Sequence, residues 1–375
     1  MKENMKSIIE YPGVVIFFGL CVAMLAGYLI VPDKEYSQME NRYLQSRPSV
    51  SLSSLADGSF MESFETYTNE QVMFRDFLVK CKSAFVWATG SVENNGIARG
   101  DKGFLFDKTT SVSSKASKNI AAIRNFVQKS DRDVYIAIAP TSVWVNADCL
   151  PAGMPVLDEV SLSNELTLAL ADEKNGHIIY LYDILNRHRD EYIFYRTDHH
   201  WTTKGAGYAY EEIADKMGLE WQDISRYDRS EAYDFYGTHY AKYKGPFVSP
   251  DTIEYHDVPI DSLEREKDTE YDLVDTDKFD GFDKYGAFMY GNDGKCVVHA
   301  DKGLGKNLYI FKDSYANCLI PYLVMNYDNI TVMDLRYFGG SVSEEIAKDP
   351  QADILLMYNW SFVNDDNHFY KLADK

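Results

Sequence analysis

The feature that most constrains the fold is an alternation, from about residue 96 onward, of short apolar runs with helical segments. The apolar runs predict strands at residues 134–139, 178–181, 307–311, 330–335 and 353–357. Apolar residues recurring every three or four positions predict helices at residues 118–129, 162–172, 203–217, 316–327 and 343–348. Such alternation is typical of a largely parallel sheet with helices on both faces. The sequence therefore predicts an α/β fold.

One stretch, at about residues 226–300, departs from this alternation. Its central part, residues 251–283, is rich in aspartate and glutamate interleaved with tyrosine and phenylalanine. This composition indicates a solvated insertion. A second interpretation stays open, because ligands of open α/β sheets bind beyond the carboxyl ends of the strands, where an insertion can form a wall of the cleft.

The N-terminal region contains a long apolar span. Residues 11–32 carry no charged side chain and are long enough to cross a bilayer core of roughly 30 Å. Lys2 and Lys6 precede the span and Asp33 and Glu35 follow it, which favours an N-terminus inside the cell. A cleaved secretory signal is the alternative, although residues 23–26 lack a small-x-small cleavage site.

These observations predict a cell-membrane protein with most of its chain outside the cytoplasm. The predicted organisation is a cytoplasmic tail at 1–10, a transmembrane anchor at 11–32, a juxtamembrane connector at 33–75 with a helix over 60–77, and a main domain at 76–375 that contains the insertion.

Charge and cysteine content exclude other classes of protein. The net charge of −20 comes from 38 lysine and arginine against 58 aspartate and glutamate residues, without the basic cluster that nucleic-acid binding requires. The cysteines beyond the apolar span show neither a disulfide framework nor paired metal-binding spacing. We expect them to be free and mostly buried.

Ser314 follows the apolar run 307–311 and precedes a predicted helix. A strand, a sharp turn and a helix are the setting in which a serine nucleophile is presented. A purely structural interpretation stays open as well, because Asp313 or Ser314 could cap the helix that follows.

A carboxylate and two imidazoles lie upstream at Asp198, His199 and His200. Alternate residues of an extended segment point to the same side, which pairs Asp198 with His200 as orienting acid and general base. His199 is then either buried and bonded to backbone or in contact with substrate. Trp201 is a further candidate for substrate contact, as an aromatic platform, although core or cleft wall is favoured for it. No further ligand at zinc-binding spacing accompanies these residues, so we expect neither a metal nor another cofactor.

Serine catalysis also needs donors that stabilise an oxyanion. The backbone N–H groups of Ser314 and Tyr315 are candidates, together with a side-chain amide from Asn359 or Asn292. We also expect aromatic residues at 233–243 to line the cleft and to help exclude water from it.

The sequence resembles a known family at two motifs. Asp-His-His-Trp at 198–201 and Phe-Lys-Asp-Ser-Tyr-Ala-Asn at 311–317 are similar to the DHHW family, a branch of SGNH-hydrolase-like proteins related to the alginate O-acetylation proteins of bacterial exopolysaccharide systems. Further matching motifs are Glu40-Asn41-Arg42, Arg99-Gly100-Asp101-Lys102-Gly103-Phe104-Leu105-Phe106, Asp234-Phe235-Tyr236-Gly237-Thr238 and Asp334-Leu335-Arg336-Tyr337-Phe338.

The resemblance implies an SGNH-like three-layer fold in a circularly permuted motif order, with Asp198, His200 and Ser314 acting together. It implies an extracytoplasmic O-acyltransferase that passes acetyl groups through a serine ester to a polysaccharide, beside a membrane-bound O-acyltransferase partner. The acidic chain suits neutral glycans better than strongly anionic polymers. Two alternatives stay open: a carbohydrate esterase with the same triad, and a non-catalytic glycan-binding or assembly subunit.

Overall fold

The structure is a computed structural model that describes residues 12–37, 42–109 and 111–373. The predicted tail at 1–10 and the first residue of the predicted anchor, Tyr11, lie outside the described residues, as do Glu40 and Asn41 of the first matching motif. The chain forms two compact units: one runs to Ser91 and includes Lys244–Pro246, and the other comprises Val92–Tyr243 and Phe247–Lys375.

The first unit begins with helix α1, Pro12–Ile30, which is long and apolar enough to cross a membrane. Three further helices follow the short strands β1 (Tyr36–Ser37) and β2 (Arg42–Tyr43); they are α2 (Leu52–Ala56), α3 (Ser59–Glu70) and α4 (Arg75–Ala88). The prediction of one helix over 60–77 is wrong. The chain turns between α3 and α4 because Phe74 takes a left-handed conformation with φ of 60°, which an α-helix does not accommodate.

The second unit contains the remaining strands. They are β3 (Glu93–Asn94), β4 (Ile97–Arg99), β5 (Leu105–Asp107), β6 (Val134–Ala139), β7 (Gly176–Tyr180), β8 (Arg229–Phe235), β9 (Asp251–His256), β10 (Ser262–Glu264), β11 (Thr269–Glu270), β12 (Lys295–His299), β13 (Asn307–Lys312), β14 (Asn329–Met333) and β15 (Asp353–Asn359). Its α-helices are α5 (Ala116–Lys129), α6 (Ser142–Val145), α7 (Glu159–Leu170), α8 (Tyr182–Arg187), α9 (Thr203–Met217), α10 (Thr238–Tyr243), α11 (Ile320–Leu323), α12 (Val342–Ile346) and α13 (Trp360–Asp365).

An eight-stranded sheet organises this unit, in the order β11-β10-β12-β14-β13-β15-β6-β7. The strands from β14 to β7 in this order pair in parallel, whereas β12, β10 and β11 extend the sheet by antiparallel pairing. The predicted α/β class with a largely parallel sheet is therefore confirmed.

Both faces of the sheet are buried. Alternate residues of one strand enter different core clusters, since Ala137 packs on one side and Ile136 on the other. Helix α9 covers the first face through Ala206, Ala209 and Ile213, while α5 and α7 cover the second. This two-sided burial explains why the parallel strands are continuous apolar runs rather than alternating ones.

The predicted helix at 316–327 is the element that differs most in the second unit. Residues Ser314–Cys318 form a 3₁₀ turn, and the α-helix that follows is only Ile320–Leu323. Pro321 lies in the first turn of that helix, where its missing N–H is tolerated. A helix continuous from Ser314 would need the backbone N–H that Pro321 lacks, so the α-helix begins anew at Ile320.

Part of the acidic stretch packs into the folded core of the second unit. It forms the β8–β9 hairpin and then β10, β11 and β12, which join the main sheet. Its apolar residues Leu273, Val274 and Phe288 are buried in the same core cluster as the sheet. Most acidic side chains of residues 251–283 lie outside the core, whereas Asp251 is buried.

Candidate active site

Ser314 lies in the turn that follows β13, where neighbouring parallel strands β15 and β6 also end. Asp313 holds this turn: its carboxylate accepts hydrogen bonds from the backbone N–H of Tyr315 at 2.8 Å and of Asn359 at 2.7 Å. Burial raises the pKa of Asp313. Asp313 is thus the residue that caps the 3₁₀ turn, which leaves the Ser314 hydroxyl free to face another partner.

The Asp198–His200 segment is a tight loop rather than the extended segment expected from sequence. Phe194 and Trp201 form an isolated antiparallel bridge, and the Tyr195 N–H donates to the His200 carbonyl at 3.2 Å. Asp251, the first residue of the acidic part 251–283, fixes the loop. Its buried carboxylate accepts hydrogen bonds from the Thr197 N–H at 2.7 Å and the Thr197 hydroxyl at 2.6 Å.

The loop and the turn place three side chains in one hydrogen-bonded line. The Ser314 Oγ lies 2.8 Å from His200 Nε2, and His200 Nδ1 lies 2.5 Å from Asp198 Oδ1. His200 and Asp198 are both buried. With Nδ1–H donating to the carboxylate, Nε2 accepts the serine proton, which is the tautomer that a general base requires.

Asp198 is held ionised by its surroundings. Burial opposes its charge, but the neighbouring imidazoles of His199 and His200 and its hydrogen bonds hold the pKa of the Asp198 carboxyl well below its usual range. Its second oxygen accepts from the Thr238 N–H at 2.7 Å and the Thr238 hydroxyl at 3.0 Å. Asp198 is therefore fixed on both sides.

Gly237 makes this close approach of Thr238 and Asp198 sterically feasible. A Cβ at position 237 would lie 2.2 Å from the Asp198 Cβ and 2.4 Å from its Oδ2, well inside van der Waals contact. We expect Gly237→Ala to displace Asp198 and to lower kcat for a small acetyl ester about 10²-fold, the effect of a displacement near 1 Å. Gly281→Ala, with its nearest contact at 3.3 Å, is the matched control, and equal rates for both variants would contradict the prediction.

Tyr285 packs directly on the base and comes from the acidic stretch. Its ring stacks on that of His200 with centroids 3.7 Å apart and planes 9° apart, and its hydroxyl donates to the Ser314 carbonyl at 3.0 Å. The 226–300 stretch therefore contributes a side chain that packs on His200.

His199 and Trp201, which flank His200 along the chain, differ in exposure. His199 is not buried: its side chain is 41% exposed, and its Nδ1 lies 2.7 Å from the Thr238 hydroxyl oxygen. Trp201 is fully buried and donates from Nε1 to the Tyr315 carbonyl at 2.9 Å. Trp201 thus joins the loop to the serine turn and belongs to the core.

Two of the four oxyanion donors named from the sequence, the Tyr315 N–H and the Asn359 amide, already donate to other groups. The Tyr315 N–H donates to Asp313, and the Asn359 amide donates to the carbonyls of Ala139 and Pro140 at 3.3 and 3.2 Å. Asn292 lies against Lys312, whose Nζ donates to its oxygen at 2.6 Å. Among the described residues, the Ser314 N–H has no acceptor, so it is the backbone donor that remains.

Asp198, His199 and His200 also form a cluster of metal-binding residue types, with ligand atoms within 4.8 Å of one another. Both nitrogens of His200 are already engaged, by Asp198 and by Ser314. A metal bound through His200 would have to break one of these hydrogen bonds. The geometry therefore fits proton transfer better than metal ligation.

A cleft of about 420 Å³ lies beside the three residues. Its lining includes His199, Thr238, Tyr315 and Asn359. The charged residues Asp107 and Lys242 also line it. The aromatic cluster at 233–243 does not line it, contrary to the expectation: Phe235 and Tyr243 are buried, and Tyr233 is exposed.

Sequence reasoning missed Asp251 and Tyr285 entirely. It named Gly237 and Thr238 only within a motif, and that motif was the available signal for their position. No local pattern indicates Asp251 or Tyr285, because both act from segments more than fifty residues away from the side chains that they support.

Comparison with known proteins extends these observations. Residues 99–333 match the sequence model of the DHHW protein family, and no curated protein has a significantly similar sequence. A DHHW family protein from Eubacterium siraeum superimposes with a TM-score of 0.60 and 22% identity, covering 75% of this chain and 96% of the other. Bacillus cereus PatB1, solved with a sulfonyl adduct, superimposes with a TM-score of 0.59 and 17% identity, covering 74% of this chain and 98% of the other. At these identities the likeness is one of fold.

Proposed function

Because the chain belongs to the DHHW family, we propose that it is an extracytoplasmic O-acyltransferase that carries an acetyl group on Ser314 and passes it to hydroxyls of a cell-surface or secreted polysaccharide. Helix α1 would anchor it as a single-pass membrane protein. The donor would be supplied by a membrane-bound O-acyltransferase partner. No step requires a metal or another cofactor.

The observation that carries the proposal is the hydrogen-bonded line from Ser314 through His200 to Asp198, at 2.8 and 2.5 Å. A serine hydroxyl is a weak nucleophile unless a base removes its proton. A glycan-binding or assembly subunit needs no such arrangement. The geometry therefore favours an enzyme over the non-catalytic alternative.

In the first half-reaction, Ser314 Oγ attacks the acyl carbon of the donor while its proton moves to His200 Nε2. The Asp198 carboxylate stabilises the imidazolium that results. The tetrahedral intermediate collapses, the bond from the acyl carbon to the leaving group breaks, and His200 returns the proton to that leaving group. An acetyl ester of Ser314 remains.

In the second half-reaction, a sugar hydroxyl loses its proton to His200 and attacks the ester carbonyl. Collapse of this intermediate breaks the bond to Ser314 Oγ, which regains its proton from His200. The acetylated sugar leaves. The side chains of His199 and Tyr315, which line the cleft, would contact the sugar.

A carbohydrate esterase would use the same three residues, with water in place of the sugar hydroxyl. The two reactions differ only in which acceptor reaches the acyl-enzyme. The aromatic residues at 233–243 that were expected to favour transfer do not line the cleft, so the choice between the two reactions rests on the products.

We expect the purified full-length protein to consume p-nitrophenyl acetate faster when a matching neutral oligosaccharide is added, and to yield acetylated sugar in preference to acetate. Mass spectrometry of the sugar and assay of acetate measure both products. Ser314→Ala protein is the control for uncatalysed transfer. Acetate as the sole product with several neutral glycans, including polymer from the source organism's surface, would replace the transferase proposal with the esterase.

A further inference from the structure

The first unit carries an apolar stripe on helix α4 that nothing in the site explains. Phe74, Phe77, Leu78, Cys81 and Phe85, here called the Phe77 stripe, recur at the spacing of one helix face. Every one of them is exposed, Phe77 by 65% and Phe85 by 71%. Water-soluble surfaces rarely carry so large a contiguous apolar patch without a partner.

The start of α4 is tied to the end of α1. Gly27 is buried, and a Cβ at this glycine would lie 3.1 Å from the Met73 Cβ, so Met73 packs directly against the helix backbone. The Gln71 side chain exchanges hydrogen bonds with the backbone of Lys34, at 2.9 and 3.0 Å. The loop that leads into α4 is therefore fixed beside the apolar helix.

This attachment sets the depth of the stripe. Gly27 lies three residues before the end of α1 at Ile30, which corresponds to about 4.5 Å along a helix axis. Helices that lie in the membrane interface bury their apolar face about 5–10 Å into the boundary between headgroups and acyl chains. If α1 crosses the membrane, Met73 and the neighbouring Phe74 lie at the level of that boundary.

The charge on α4 suits the same location. The helix carries Arg75, Lys80 and Lys82 against one acidic residue, Asp76, although the whole chain has a net charge of −20. Basic residues beside an apolar face are typical of helices that lie on anionic lipid.

We propose that α4 lies in the lipid–water interface on the extracytoplasmic side of the membrane that α1 crosses, with the Phe77 stripe buried among lipid. The chain is then held by an interfacial helix as well as by α1. The proposal rests on the membrane anchoring proposed above. A second copy of the chain and a partner protein are the other occupants that a test must separate from lipid.

Cys81 provides a native probe within the stripe. In Cys21→Ala protein, a fluorescent label attached to Cys81 would report its surroundings, because Cys149, Cys296 and Cys318 are buried. A matched control carries the label at Asn69→Cys, on an exposed position of α3, in a Cys21→Ala, Cys81→Ala background. The full chain is reconstituted in vesicles of phosphatidylcholine and phosphatidylglycerol.

We expect a nitroxide attached near the top of the lipid acyl chains to quench the Cys81 label several-fold more strongly than the Asn69→Cys label, and external iodide to show the reverse order. If neither quencher reaches the Cys81 label, protein covers the stripe. If iodide reaches the label, the stripe faces water. Either result overturns the proposal. Loss of the chain from floated vesicles would overturn it together with the anchor. Turnover of an acetyl ester is assayed separately, so failure of the proposed chemistry is distinguishable from each of these results.

Discussion

Ser314→Ala should abolish turnover of small acetyl esters while the protein remains folded. The hydroxyl contributes one hydrogen bond to His200, and the turn around it is held by Asp313 and Asn359 rather than by the serine side chain. Removing the nucleophile of a comparable triad lowers kcat about 10⁶-fold. Initial rates with p-nitrophenyl acetate, together with a thermal unfolding midpoint for each protein, measure the effect.

Ser161→Ala is the matched control, because Ser161 is an exposed serine of α7, outside the cleft. The control should keep the wild-type rate. Intact-mass analysis after exposure to phenylmethanesulfonyl fluoride gives a second measurement: the wild-type protein should gain one sulfonyl group and Ser314→Ala protein none. Substantial turnover by Ser314→Ala protein would end the assignment of Ser314 as nucleophile.

Asp198→Asn should produce the second largest loss, about 10⁴-fold in kcat, the value for this substitution in a Ser-His-Asp triad. The asparagine amide cannot replace both functions of the carboxylate, which accepts from His200 Nδ1 and from Thr238. An amide nitrogen facing Nδ1 favours the tautomer with the proton on Nε2, and His200 then cannot accept the serine proton. Steady-state rates across a pH series measure the loss.

Asp148→Asn changes an exposed carboxylate at the surface of the same unit and should leave the rate unchanged. A second comparison separates the two histidines: His200→Ala should lose far more activity than His199→Ala, since only His200 contacts both Asp198 and Ser314. A larger loss for His199→Ala would mean that the base has been assigned to the wrong ring.

The sequence by itself determined the features that depend on local burial. Helix α9 begins at Thr203 and ends at Met217, as predicted, because its apolar face and the closing Gly218 are both encoded within it. Strand β6 has the predicted bounds, Val134–Ala139, because an apolar run of this length is buried wherever it lies in a parallel sheet. The α/β class followed from the same local patterns, whereas the family followed from the resemblance of the motifs at 198–201 and 311–317.

The pairing of Asp198 with His200 was anticipated by an argument that used the wrong geometry. The loop is a tight bridge between Phe194 and Trp201, and the Asp198 carboxylate also accepts from the His200 backbone N–H at 3.0 Å. The predicted contact between Asp198 and His200 is nevertheless present. The two residues are only two positions apart in the chain, so they stay close together in any loop.

Tertiary structure alone decided which groups support and surround that pair. Tyr285 stacks on His200, Asp251 fixes Thr197, and Gly237 clears the space that Asp198 occupies. Each of these contacts joins segments that are far apart in the chain, so no periodicity within either segment records it. Periodicity reports how much of an element is buried, whereas the partner of a hydrogen bond depends on how elements pack, and only the folded chain determines that.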